Sequence, residues 1–197
     1  MTYDLGPPFL IRLKPVLRLT EDKFMGICRL NEALRFELTS KGDLVVMAPE
    51  GSGSGSRNFD LSGDFVQWVR ADGTGVGFGS SAGFRLPNGA IRGPDLAWIR
   101  RERWEALTRE QQERFAPICP DFVVELRSRT DPLPFLHRKM EEYIANGARL
   151  GWLIDPYQKR VYIYRPGEPV EQLDNPQTVS GDAELPGFVL EVAKLWV

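Results

Sequence analysis

Two acids interrupt apolar runs in this chain at places where a lone carboxylate is costly. Glu125 stands inside Phe122-Val123-Val124-Glu125-Leu126, and Asp95 opens Asp95-Leu96-Ala97-Trp98-Ile99 behind Gly93-Pro94. A run as apolar as 122–126 reads as a central, buried strand. A carboxylate there must find a cation, hydrogen-bond donors or a metal ion, or else take up a proton. If the two strands lie side by side, Asp95 and Glu125 approach, and a shared proton or a divalent cation relieves their repulsion. Mg²⁺ is commonly held by one or two carboxylates with water and phosphate oxygens. Asp95 and Glu125 are therefore candidate ligands for Mg²⁺ or Mn²⁺. Lys139 completes the set. On a helix that buries Leu133, Leu136, Met140, Tyr143 and Ile144, about 100° per residue puts it at the margin of the buried face. From there an ammonium reaches a carboxylate on a neighbouring strand, where it can orient a metal-bound water or stabilise a charged transition state.

Each residue has a plainer reading. Glu125 could pair with Arg127, Arg138 or Lys139 as structure alone, Asp95 could cap the turn after Pro94, and Lys139 could snorkel to solvent. Taken together, at the ends of core elements, the three favour a site. Asp121 either joins it or simply starts the strand. Glu37, in a hairpin strand, faces either the site or solvent. His137 is the sole histidine, so a histidine-rich zinc site is excluded. Its place near a helix start suggests an exposed side chain, and Asp155 before Pro156 reads as a turn residue.

The elements that must position these groups follow from patterning. Residues 1–30 read as an arm with a short helix near Glu21–Leu30, and 31–197 as one domain. Arg35–Thr39 and Leu44–Met47 flank a glycine-containing turn and predict a β-hairpin. Residues 51–56, GSGSGS, read as a flexible loop. No Lys-Ser or Lys-Thr follows where a phosphate-binding loop needs it, so that motif is rejected. Phe59, Phe65, Val66 and Val69 predict a helix over 57–71, weakened by Gly63. Strands follow over 76–80, 83–86 and 90–99, with Pro87-Asn88-Gly89 as a turn. Residues 102–115 read as a short helix and loop, with Thr108 as a candidate N-cap before Glu110 and Gln111. In strand 121–127, alternation puts Asp121, Val123, Glu125 and Arg127 on one face. Asp131 and Pro132 then open a helix to Asn146, stopped by Gly147. Trp152–Asp155 and Arg160–Arg165 form a further hairpin, and the stretch through Phe188, Val189 and Leu190 reads as an edge strand. The whole is α/β with a mixed sheet flanked by helices and an N-terminal β-hairpin extension.

Bulk properties narrow the function. Hydrophobic residues make up 42% and charged residues 26%, a globular balance, and the formal charge of -2 argues against a protein that coats nucleic acid. Two basic groups, Arg100, Arg101 and Arg103, and Arg127, Arg129 and Arg138, could still meet phosphate locally. No apolar run approaches a membrane span or a secretory signal. Cys28 and Cys119 are far apart and read as reduced thiols of a cytoplasmic protein.

Four stretches together, Gly93-Pro94-Asp95, Pro120-Asp121-Phe122-Val123-Val124-Glu125-Leu126, Lys139-Met140-Glu141-Glu142-Tyr143 and Gly151-Trp152-Leu153-Ile154-Asp155-Pro156, resemble the restriction endonuclease family called Uma-two, of the PD-(D/E)XK nuclease superfamily. The hairpin from Phe36-Glu37-Leu38 to Met47 looks like that family's opening element. The resemblance spans most of the chain. It implies a restriction-endonuclease-like core and metal-dependent hydrolysis of DNA, with Asp95 as the first acid, Glu125 as the second, and both on a divalent metal. The lysine expected two residues after Glu125 is Arg127, and arginine stays protonated. Lys139 on the following helix matches a relocated lysine. Cleavage of both strands of a duplex would suit a homodimer. Two rivals stand beside this reading. One is an inactive nucleic-acid-binding or protein-interaction module on the same fold. The other is a two-carboxylate glycosidase, which would need an aromatic sugar cleft and about 5–9.5 Å between its acids.

Overall fold

The computed structural model describes residues 8–47, 49 and 51–197. Its first elements are β1 (Phe9–Ile11), α1 (Glu21–Leu30), β2 (Arg35–Leu38), β3 (Leu44–Met47), α2 (Ser52–Asp72) and β4 (Gly75–Gly79). Then come β5 (Phe84–Arg85), β6 (Ile91–Arg92), β7 (Leu96–Arg100), α3 (Arg101–Glu105), α4 (Arg109–Gln112) and β8 (Phe122–Leu126). The chain finishes with α5 (Leu133–Ala145), β9 (Leu150–Asp155), β10 (Arg160–Tyr164), β11 (Glu171–Asp174), β12 (Val179–Ser180), β13 (Val189–Leu190) and a 3-10 turn, Val192–Leu195.

The main sheet has the order β11-β10-β9-β8-β7-β4. Only β8 and β9 are parallel neighbours. A parallel pair needs a crossover, and α5 supplies it. Strand alternation then divides the core in two. Phe122, Val124 and Leu126 of β8, with Trp152 and Ile154 of β9, pack under α2 and the C-terminal stretch of Phe188, Leu190, Val192 and Leu195. Val123 and Leu153 point the other way, against Leu136, Met140 and Tyr143 of α5. Both faces of the sheet are covered, which is why β8 reads as a nearly unbroken apolar run. At the far edge, Gly75 lies flat against the Trp98 indole, where a Cβ would come within 2.2 Å of ring carbon.

A second sheet, β1-β3-β2-β6-β5, stands beside the first. The predicted hairpin is its β2–β3 pair, with Glu37 opposite Val45. Leu38, Leu44 and Ile91 form a small core with Phe24 of α1. Gly89 at φ 86° makes the predicted turn between β5 and β6.

Several expectations need correction. The GSGSGS stretch is not a loop but the opening turns of α2, which starts at Ser52. Leu61 and Phe65 bury one face of that helix, and a helix once nucleated there propagates backward through poor formers. The 102–115 stretch holds the end of one short helix and the whole of a second, the latter opened by the expected Thr108 cap in a capping box with Gln111. The 90–99 strand breaks at Gly93-Pro94 into β6 and β7, which belong to different sheets. Asp131 does not cap α5. Its carboxylate accepts from the Ser128 amide, and Pro132 takes the cap position. The C-terminal strand pairs only with β12, not with the main sheet.

Candidate active site

Strand register brings the two acids together. In the antiparallel β7–β8 pair, Leu96 faces Val124 and Ala97 faces Val123, so one step further Asp95 stands opposite Glu125. Cross-strand neighbours of this kind have Cβ atoms about 4.5–5.5 Å apart. Asp95 is tied down at both ends. Its amide donates to the Val124 carbonyl at 3.0 Å, and its Oδ2 accepts from the Leu126 amide at 2.8 Å. Its Oδ1 faces the Arg35 guanidinium at 3.8 Å. The Gly93-Pro94 break allows this, because it turns the chain from β6 into β7 with the carboxylate aimed across to β8.

The third group comes from the crossover helix. Lys139 is 5% exposed, and its Nζ lies 2.8 Å from Glu125 Oε1 and 2.7 Å from Glu37 Oε1. It also donates to the Gly93 carbonyl at 3.3 Å. Glu37 accepts in addition from the Gly93 amide at 3.0 Å and from Arg92 at 2.9 Å. Arg92 in turn holds Glu142 at 2.6 Å, and the Tyr143 hydroxyl donates to Glu125 Oε1 at 3.2 Å. One connected network thus joins both sheets and α5, and the hairpin serves to deliver Glu37.

Its electrostatics are uneven. Burial raises the Glu37 carboxyl, but Lys139 and Arg92 outweigh that and hold it at about 2. Burial also raises Glu125, and the nearby charges of Asp95 and Glu37 add to it. Lys139 opposes them only in part, leaving the group at about 8. Burial lowers Lys139, yet Glu125 and Glu37 more than reverse this, so its ammonium keeps its proton. The acids of this cluster outnumber its buried cations, and Glu125 bears the deficit.

The donor set can be tested against a metal. Among the described residues no three His, Cys, Asp or Glu side chains form a ready-made cage. What is present is two hard carboxylates at the wall of a cavity of about 520 Å³. Glu125 Oε2 accepts from no protein donor among the described residues, and it is not one of the sealed, orphaned buried atoms. Two carboxylates, one with a spare oxygen at a cavity wall where acids outnumber the buried cations, fit a small divalent ion that keeps several of its own waters.

The other sequence candidates separate cleanly. Glu37 is in the cluster. Asp121 is not. It sits at the opposite end of β8, with Arg103 at 2.8 Å and the Arg100 amide at 2.9 Å. Arg127 is turned away to Asp155 at 2.7 Å. Asp155 is fully buried and also accepts from the Tyr157 and Gln158 amides, so it is the turn residue expected. His137 is half-buried rather than exposed, bonded through Nδ1 to the Tyr164 hydroxyl and packed on Tyr162. Arg92 and Glu142 went unread in the sequence. An arginine inside Ala90-Ile91-Arg92, and Glu142 three residues after Lys139 on the same helix, were the available signals.

A family model described as "Putative restriction endonuclease" matches residues 22–193. The fold is similar to a crystal structure described as a putative nuclease belonging to DUF820 from Anabaena variabilis. The TM-score is 0.72 and the identity 21%, over 90% of this chain and 97% of that one. At that identity the likeness is one of fold. No curated protein matches. Among the described residues, no helix is long and apolar enough to cross a membrane.

Proposed function

This chain is a member of the Uma2 family, and from that premise we propose that it is a metal-dependent endonuclease that hydrolyses DNA phosphodiester bonds. The observation that carries the proposal is the convergence of Asp95, Glu125 and Lys139 from two strands and a helix onto one cavity. Asp95 and Glu125 would hold Mg²⁺ or Mn²⁺. Such an ion lowers the pKa of a bound water and polarises a phosphoryl oxygen.

The chain's own residues do the positioning. Lys139, kept charged by two carboxylates, is a donor rather than a base. With its three N–H groups on Glu125, Glu37 and the Gly93 carbonyl, it would act through its charge, by stabilising the negative charge that builds on the phosphate oxygens, or would orient the attacking water after releasing one of those partners. Glu37 and Arg92 fix the ammonium instead of taking part in the chemistry, since Glu37 spends both oxygens on Lys139, Arg92 and Gly93. Asp95, strapped to the Leu126 amide, presents its carboxylate without needing to reorganise. Two copies of the chain would serve the two strands of a duplex.

The test is calorimetric titration of Mg²⁺ and Mn²⁺ into wild type and Glu125→Gln, with plasmid nicking in the presence and absence of chelator. Metal uptake lost in the variant, together with chelator-sensitive nicking by wild type, is the expected result. Absence of both metal uptake and nicking in wild type would overturn the reading.

A further inference from the structure

The same cavity has a second, cationic corner that the proposed chemistry leaves unused. The guanidinium carbons of Arg57, Arg127 and Arg129 lie 5.5, 6.0 and 5.1 Å from the centre of the Tyr157 ring. Of the three, only Arg127 has a carboxylate partner among the described residues, Asp155. Among the described residues no acid lies within ion-pair distance of Arg57 or Arg129. Arg57 donates to the Tyr157 hydroxyl at 3.0 Å and to Ser54 Oγ at 3.2 Å, while its Nε is buried with no partner. Three like charges around one ring, with one anion among them, leave about two positive charges unanswered. A ring quadrupole offsets little of that repulsion at an exposed site.

The corner is built, not incidental. Asp155 fixes the turn that carries Tyr157 by accepting from two of its amides and from Arg127. The opening of α2 gives an independent sign. Gly53 and Gly55 each weaken a helix relative to alanine. Yet a Cβ at Gly51 or Gly55 would meet nothing within 4 Å, and one at Gly53 only the tip of Arg57. The protein's own packing does not require these glycines. Gly51, Gly53 and Ser54 line the cavity beside Arg57 and Tyr157, so their bareness keeps room for something that enters it.

We propose that Arg57 and Arg129, braced on Tyr157, form a second phosphate subsite, which grips a backbone phosphate of the substrate strand other than the scissile one. This rests on the phosphodiester reading for the identity of the ligand. It does not rest on hydrolysis occurring. The chemistry matches: two guanidiniums with no carboxylate partner among the described residues offer charge-assisted N–H donors to phosphate oxygens, at the far side of a cavity whose other wall is acidic.

The experiment measures binding of labelled duplex and single-stranded oligonucleotides by fluorescence anisotropy, in Ca²⁺, across salt concentrations. Wild type is compared with Arg57→Gln/Arg129→Gln, with Arg129→Gln alone and with Arg149→Gln. Arg149 is an exposed arginine at the other end of β9, paired with Glu184. Arg129 is exposed, so its single variant keeps the test valid if the double variant fails to fold. Two lost contacts lower the slope of log affinity against log salt by about 1.8 on duplex or 1.4 on a single strand. A fourfold rise in salt then weakens wild type about twelvefold more than the double variant. Arg129→Gln should lose about half that slope, and Arg149→Gln none. Unchanged slopes in the double and single variants overturn the subsite while leaving the nuclease reading to the nicking assay. The same holds if inorganic phosphate binding alone responds to the substitutions. Reduced slopes in a protein that never nicks DNA would keep the subsite and refute the hydrolytic reading.

Discussion

Replacing Lys139 by methionine tests the network where its charges are least balanced. The substitution keeps the length of the side chain and removes one ammonium from between Glu125 and Glu37. Breaking a buried ion pair on one side costs about 3–5 kcal/mol when the remaining charge cannot escape. The two acids differ in their ability to escape. Glu125, raised to about 8 by burial and by the charges of Asp95 and Glu37, can take up a proton near neutral pH at little further cost. Glu37, at about 2, is fully charged and would keep only Arg92 and the Gly93 amide. The cost therefore falls on Glu37. Urea unfolding of the metal-free protein at pH 7 should show Lys139→Met destabilised by about 3 kcal/mol. Adding Glu37→Gln should recover most of that loss, because Arg92 still holds Glu142, whereas adding Glu125→Gln should recover little. The reasoning fails if Lys139→Met is as stable as wild type, or if Glu125→Gln is the better rescuer.

Three further outcomes follow from the structure. Stability of the metal-free protein should depend on pH in two windows. The raised Glu125 contributes stability that is fully present below its ordinary 4.5 and lost as pH rises through about 8, while the lowered Glu37 contributes stability present above 4.5 and lost as pH falls through about 2. Thermal melts in chelator should thus decline from pH 5 to 9, and Glu125→Gln should flatten that decline; an unchanged slope in the variant would refute the assignment. Gly75→Ala should cost about 1–3 kcal/mol by forcing the Trp98 indole aside, measured by denaturant unfolding, and a neutral result would mean the edge strand shifts freely. Burial pushes the Cys119 thiol up to about 12, so in a Cys28→Ser background a thiol reagent at pH 8 should label the native protein only after denaturation.

Much of the site was legible because its members break a local pattern. A glutamate inside an apolar strand and an aspartate after Gly-Pro announce themselves. Register then does what sequence cannot, placing residue 95 opposite residue 125 through a pairing set by distant hairpins and turns. The helix phase of Lys139 was readable, but its depth was not, since burial of an ammonium depends on finding two carboxylates from other elements. Arg92 and Glu142 were missed for the same reason. Each is tolerable in the core only because the other, and Glu37, are there. The α2 start was misread because glycine and serine carry loop propensities, which the burial of Leu61 and Phe65 overrides from downstream.

Arg127 stands two residues after Glu125, yet the cation that meets Glu125 is Lys139. By parity Arg127 shares a face of β8 with Glu125, but it lies just past the strand, where Asp155 at the end of β9 is the nearer anion. Its guanidinium donates there and to the Asp131 carbonyl, and it cannot be drawn back without stranding a fully buried aspartate. The position beside Glu125 is then open to a cation from elsewhere. α5 packs directly over β8, and Lys139 lies one turn before Tyr143, whose hydroxyl bonds the same Glu125 oxygen. A side chain descending from the helix thus reaches Glu125 without competing with the Arg127–Asp155 pair. The crossover helix supplies Glu125 with a charged donor held by its neighbours and leaves Arg127 to brace the turn of Tyr157.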